Sequence, residues 1–231
     1  MATIVTRSGK VSPLSHGELD ANFTNLNNDK AETNATNAEL DVLDMSTSGS
    51  TSGQVLTSTG TGSLPSWQSI EQTVLQVKSS TKTDTYSVLT STNISTWPDV
   101  PDLSVTITPS STTSKILVLF NLNMSGSNRY SAAVLYRDST QIAVGDSSAK
   151  SEVTVSSQSN DSSTNDSYVM HNSSMSFEDS PNTTSSITYK IKVGSTYSNA
   201  YYTYINRPHQ FANAASIHVG ISNITVIEVK G

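Results

Sequence analysis

Ile187-Thr188-Tyr189-Lys190-Ile191-Lys192-Val193 is the stretch on which the fold turns. Its odd-numbered residues are apolar and its even-numbered ones polar. That period of two puts one face of an extended strand in a core and the other in water. The same alternation, broken by turn residues at short intervals, runs from Ile70 to the C-terminal residue, which predicts an all-β sandwich or barrel. Val105 and Ile107 ahead of Pro109, and Ala132, Val134 and Tyr136, supply further inward faces. Ile116 to Phe120 is apolar on both faces, as a central or interface strand is. Near the C-terminus Ile217, Val219 and Ile221 alternate. Ile224 and Val226 then take one parity and Ile227 and Val229 the other, so the last strand is expected in the middle of a sheet. Residues 145–166 read as long exposed loops around one candidate strand, Glu152 to Val155.

Composition agrees with half-buried strands. Of 231 residues, 34% are hydrophobic and 14% charged, both low for a globular chain, and Ser, Thr and Asn make up the difference. The absence of cysteine removes disulfides, thiolate metal sites and thiol nucleophiles. A net charge of −6 with no basic run excludes a nucleic-acid footprint. No window is apolar for long enough to suggest a membrane span, and Met1 to Lys10 lacks the apolar region of a signal peptide.

Working toward the N-terminus, the pattern changes character. Residues 46–69 are rich in Ser, Thr and Gly, a linker composition, yet Val55, Leu56 and Trp67 call for burial, so an ordered neck is expected. Residues 14–45 carry a helix. Ser15 and Glu18 form a capping box and Leu14 and Leu19 flank it as a hydrophobic staple. Leu19, Phe23 and Leu26 then fall on a coiled-coil seam. The same register brings Lys30, Thr33, Asn37, Leu40 and Asp44 onto that seam. Polar seam residues suit an oligomer, in which they set register and strand number; a helix lying on its own monomer is the alternative. Residues 1–13 are too short for a core, and read either as a docking lead or as a frayed end.

Thr3-Ile4-Val5-Thr6-Arg7-Ser8-Gly9-Lys10, followed by Leu14-Ser15-His16-Gly17-Glu18-Leu19-Asp20-Ala21-Asn22-Phe23, resembles the start of tail-fibre and related virion-appendage proteins of phages infecting marine bacteria. Ser52-Gly53-Gln54-Val55-Leu56-Thr57-Ser58, closing on Pro65-Ser66-Trp67-Gln68, resembles a stalk motif of the same proteins. The body, with Ser114-Lys115-Ile116-Leu117 and Asp179-Ser180-Pro181, is similar to their C-terminal heads. The resemblance implies a mainly β protein with an N-terminal helix: a jelly-roll-like antiparallel β-sandwich head (70–231) on a trimeric coiled-coil stalk. It also implies a virion location and a homotrimer. Leu19, Phe23, Leu26, Leu40 and Trp67 are its expected contacts, and Ile4, Val5, Arg7 and Val11 its attachment to other virion structural proteins. The alternative within the resemblance is an architectural adaptor or capsid-mounted head fibre without a receptor.

Chemistry-bearing residues are sparse. No nucleophile elbow or phosphate-cradling glycine loop occurs, and His16, His171, His209 and His218 lack metal-ligand spacing, so no cofactor or metal is expected. Asp161, Asn165 and Asp166 offer oxygens to calcium but lack the bidentate Glu and turn Gly of a dedicated loop. A polysaccharide hydrolase would need two carboxylates on a rigid cleft. The candidates Glu152, Asp161, Asp166, Glu178 and Asp179 lie in or beside loop-like sequence, so no enzyme is expected. Recognition centres on Tyr197 to Phe211, where Tyr202, Tyr204, Arg207 and His209 combine flat ring faces with a planar donor fork. Such a set suits a host-surface glycan or protein. Packing within the core or between subunits is the competing role for the same tyrosines.

Overall fold

Strand β6 (Lys115–Gly126) organises residues 72–231 because it has neighbours on both sides along most of its length. The computed structural model describes residues 13, 15–24, 51–61, 65–127, 130–147, 149–157, 168–197 and 201–231. The chain divides into two units, residues 1–71 and 72–231.

In the second unit, β3 (Val74–Lys82), β13 (Ser222–Val229), β6, β12 (Tyr202–Ile205) and β4 (Tyr86–Leu89) form one antiparallel sheet, and β10 (His171–Asp179) pairs with the other edge of β6. The facing sheet runs β5 (Asp99–Ile107), β11 (Ile187–Ser195), β7 (Ser131–Arg137) and β8 (Thr140–Ile142), with β9 (Val155–Ser157) also on β7. One core joins the two sheets: Leu103, Val105 and Ile107, with Ile187, Tyr189, Ile191 and Val193, meet Ile116, Val118, Phe120, Ile224 and Val226. The protein is therefore mainly β, with antiparallel sheets packed face to face and, among the described residues, one short α-helix.

Alternation fixes which residues enter that core. In β11 the odd positions are buried and Thr188, Lys190 and Lys192 are half-buried on the other face. Ala132, Val134 and Tyr136 of β7 point to the opposite side from Ala133 and Leu135. There they form a second cluster with Trp97, whose indole lies against Gly194 and whose Nε1 donates to Ser91 O at 2.9 Å.

The edge of β5 is closed by side chains. Gln76 Nε2 donates to Thr108 O at 2.8 Å, Lys78 Nζ to Thr106 O at 3.1 Å and Ser80 Oγ to Asp102 O at 2.6 Å, all from alternate positions of β3. An edge strand with satisfied carbonyls is a poor template for another chain.

Two sequence expectations need correction. Ile217, Val219 and Ile221 do not form a strand; β13 begins at Ser222, and Val219 and Ile221 are exposed. The reason is topological. Asn223 pairs with Asn121, and beyond that point the same side of β6 is taken by β12, which pairs with Met124 to Gly126. Residues 217–221 consequently have no ladder to join. The candidate strand Glu152 to Val155 is shifted to Val155–Ser157, where it pairs with Ser131 to Ala133. The expectation that the last strand lies mid-sheet is met, since β13 pairs with both β3 and β6.

In the first unit, residues 16–24 are helical. The capping box forms: Ser15 N donates to Glu18 Oε2 at 2.9 Å and Glu18 N donates to Ser15 Oγ at 3.3 Å. Leu14 and the seam positions from Leu26 to Asp44 lie outside the described residues, and no coiled coil is seen among those described. Within the neck, β1 (Gln54–Thr57) pairs with β2 (Ser66–Ser69) as an antiparallel hairpin, with Trp67 opposite Leu56. Gly53, at φ 89°, holds a left-handed conformation at the entry to β1 that a residue with a Cβ adopts only under strain.

Candidate functional site

Strand β12 carries Tyr202 and Tyr204 on one face and Thr203 and Ile205 on the other. Ile205 enters the main core, and Thr203 Oγ1 donates to Ser131 Oγ at 3.2 Å. The two tyrosine rings stack side by side, centroids 5.9 Å apart and 12° from parallel. Tyr204 is nearly buried, whereas Tyr202 is 42% exposed.

Asn206 then turns the chain back over this face. It holds φ 63°, a left-handed conformation that Asn tolerates better than most residues. Its side chain is fully used: Nδ2 donates to Lys82 O and to Asp84 O at 2.9 Å each, and Oδ1 accepts from Ser222 Oγ at 2.6 Å. Its backbone N donates to Asn123 O at 2.8 Å, and its carbonyl accepts from Gly220 N at 3.0 Å. One buried amide thus ties three strands to the loop that follows.

That loop lays Arg207 on the tyrosines. The guanidinium carbon sits 4.6 Å from the Tyr204 ring centre and 4.3 Å from that of Phe211. Arg207 Nε donates to Pro208 O at 3.1 Å and Nη2 to His209 O at 2.9 Å, so the planar group is locked in orientation. The His209 ring stacks on Tyr204 at 5.6 Å and 16°. Burial pushes the Tyr204 hydroxyl above its usual range, with the Arg207 charge opposing. Burial, then Arg207, pushes the His209 imidazole below its usual range. Near neutral pH the Tyr204 and His209 rings are therefore neutral, and the guanidinium of Arg207 lies against them. The cluster has flat apolar faces and a fixed cation, and can hold a ligand.

All four recognition residues expected from sequence, Tyr202, Tyr204, Arg207 and His209, are brought together here. A second stack joins Tyr130 to Tyr197 at 4.8 Å and Tyr197 to Tyr201 at 5.9 Å, beside a hollow of about 280 Å³ lined in part by Lys150, Ser151 and Thr196. Sequence reasoning missed Tyr130. Only the register of β7 on β11, with Ser131 opposite Ser195, carries it to Tyr197.

The other sequence candidates are dispersed. Phe23 is 70% and Leu19 41% exposed on the helix. Ile4, Val5, Arg7, Val11, Leu26, Leu40, Asp161, Asn165 and Asp166 lie outside the described residues. Trp67 is half-buried in the neck hairpin. Glu152 accepts from Ser147 N at 3.1 Å, and Glu178 faces solvent on β10. Asp179, the next residue, points inward as alternation requires. It accepts from Arg137 Nη1 at 2.8 Å and from the Tyr189 hydroxyl at 2.6 Å. Burial, then that bond to Asp179, pushes the Tyr189 phenol far above its usual range. Among the described residues no group of three His, Asp or Glu is arranged for a metal.

One buried carboxylate escaped sequence reasoning. Glu228 shares the parity of Ile224 and Val226, and that placement of a charge on an inward face was the available signal. It is fully buried and accepts from Ser114 Oγ at 2.6 Å, Ser110 N at 2.6 Å, Ser110 Oγ at 3.2 Å and Gln76 Nε2. Burial raises its pKa, but these bonds together outweigh burial and hold it below the usual carboxylate range. It fastens the 108–114 turn to β13, a structural task.

No family model matches this chain, and no curated protein matches it. Solved structures similar to it at low identity include the following two. One is described as the structure of infectious bursal disease virus Gt strain, at 11% identity, TM-score 0.34, covering 76% of this chain and 47% of that one. The other is the crystal structure of infectious bursal disease virus VP2 subviral particle, at 10% identity, TM-score 0.31, covering 76% and 46%. This chain thus spans about half the length of each.

Proposed function

We propose that this chain is a virion fibre protein, a homotrimer located on the tail or capsid. In this reading residues 1–13 attach to other virion structural proteins, residues 14–45 form a coiled-coil stalk, and a jelly-roll-like β head meets the host surface. It acts by binding, not catalysis. Three weak sites on one axis, repeated over several fibres, hold a surface far more tightly than one site does.

The observation that carries the reading is the surface cluster of Tyr202, Tyr204, Arg207 and His209, assembled on a β head with the Arg207 guanidinium fixed in place. The exposed pair Leu19 and Phe23, four residues apart on a capped helix, supports self-association. Such a pair forms one stripe that a lone helix leaves in water. The architectural alternative is favoured by one detail: Arg207 directs Nε and Nη2 at its own loop, as a purely structural arginine does.

Sedimentation of the full chain tests the trimer, with three times the chain mass expected and reversion toward one chain on Phe23→Glu. A stable folded monomer removes the reading. Particles carrying Tyr202→Ala are expected to assemble normally and adsorb poorly; loss of particle assembly would favour architecture.

A further inference from the structure

We infer that the Tyr202–Tyr204–Arg207 surface takes an acidic sugar unit of a polysaccharide, its anionic group on Arg207 and its ring on Tyr202; this rests on the recognition reading above. The argument is one of charge accounting. Several cations of residues 72–231 meet carboxylates, while Lys78 and Lys115 donate to Thr106 O and Ser180 Oγ instead. Arg137 pairs with Asp179, Lys82 with Asp84 and Asp102, and Lys190 and Lys192 with Asp99. Arg207 has no carboxylate within ion-pair reach among the described residues, in a chain of net charge −6. A half-buried guanidinium with no carboxylate beside it attracts an anion.

Geometry supplies the rest. The guanidinium is held between Tyr204 and Phe211 and tied by two backbone carbonyls, so binding costs it little further ordering. Nη1 has no hydrogen-bond partner among the described residues and remains to meet a carboxylate or sulfate oxygen. Tyr202 lies parallel to Tyr204 and offers an exposed face to the C–H side of a sugar ring. Beyond Phe211, a hollow of about 400 Å³ edged by Ile217 and Val219 extends the surface for the next unit of the polymer. His209, kept neutral near pH 7 by burial and Arg207, leaves the Arg207 guanidinium as the charge that meets the anion.

Calorimetric titration of the full chain with tetragalacturonate, dextran sulfate and neutral dextran tests the assignment. Binding of at least one acidic probe and none of neutral dextran is expected; which acidic probe binds separates carboxylate from sulfate. Affinity should fall on raising salt from about 50 to about 200 mM, as screening shortens the reach of the charge. Arg207→Gln should weaken binding about tenfold, as loss of a central anchor does. Tyr202→Ala removes an exposed ring without touching the bonds of Arg207; it should weaken binding several-fold at an unchanged melting temperature. Equal binding of neutral dextran, binding of neither acidic probe, or indifference to both substitutions overturns the assignment. If the chain binds no acidic probe but still blocks adsorption of particles, only the ligand class is wrong. If it neither binds nor blocks, the recognition reading falls as well.

Discussion

Gly194→Ala should reverse the usual sign of adding a methyl group to a glycine. At a site with room, the change stabilises by about 0.4–1 kcal/mol, because it narrows the unfolded ensemble. Gly194 sits in β11 beneath the Trp97 indole, and an added Cβ would fall 2.5 Å from Cδ2 and from Nε1 of that ring. Carbon atoms ordinarily approach to about 3.5–4.0 Å, so the ring must retreat by about 1 Å or more. It has nowhere to go: Trp97 is 1% exposed and packed on Ala132, Val134 and Tyr136, with Nε1 bonded to Ser91 O. Overpacking of this kind costs about 1–3 kcal/mol, and loss of the Ser91 bond about 1 kcal/mol more. Full expulsion of the indole sets the ceiling, about 4–6 kcal/mol for 150–250 Å² of buried ring. The expected loss is about 2–4 kcal/mol, within these bounds. The decisive assay is a double-mutant cycle by urea unfolding, followed by far-UV circular dichroism. Trp97→Ala alone should cost about 3–5 kcal/mol. Adding Gly194→Ala to that background should be neutral or slightly stabilising, giving a coupling about as large as the single-mutant loss. The reasoning is refuted if Gly194→Ala alone stays within about 0.5 kcal/mol of the parent, or is equally harmful once Trp97 is gone.

Glu228→Gln turns an amide N–H toward donors already aimed at the carboxylate, Ser114 Oγ and Ser110 N, and should cost about 2–3 kcal/mol by chemical denaturation. Because its folded pKa is depressed, Glu228 contributes fully above its unfolded value of about 4.5. That contribution is lost as pH falls through the folded pKa, and melting temperature followed from pH 6 downward in both proteins should converge below it. His209 acts in the same direction higher up. Its folded pKa lies below the unfolded 6.5, so stability is complete above that value and declines as pH falls toward the folded one. His209→Gln should flatten the curve in that window alone. Asn206→Ala removes the amide donors to the carbonyls of Lys82 and Asp84 and the acceptor of the Ser222 hydroxyl, and strains a left-handed residue; a loss of about 3–5 kcal/mol is expected. Asn206→Gly should recover only the backbone part.

What was legible in the sequence was local. Ile187 to Val193 alternates, and it is a strand with its odd positions buried. Ser15 and Glu18 have capping-box spacing, and both bonds form. Tyr202 and Tyr204 are two residues apart and share a face. Ile217 to Ile221 has an equally clean pattern and is not a strand. Alternation states which residues would face together, but a strand also needs a free edge to pair with. That edge of β6 belongs to β12 (Tyr202–Ile205), which comes earlier in the chain.

The candidate site divides in the same way. Residue types and spacing determined by themselves that Tyr202 and Tyr204 are neighbours and that an arginine, a histidine and a phenylalanine follow within reach. Only the tertiary structure decided that Asn206 reverses the chain so that Arg207 lies between two rings, and that Tyr130 joins Tyr197 across the head. It also decided that Glu228, a charge on an inward face, finds its donors in a turn more than a hundred residues away. Periodicity is written in the backbone's own repeat, whereas partners depend on sheet order and register, which distant segments settle together.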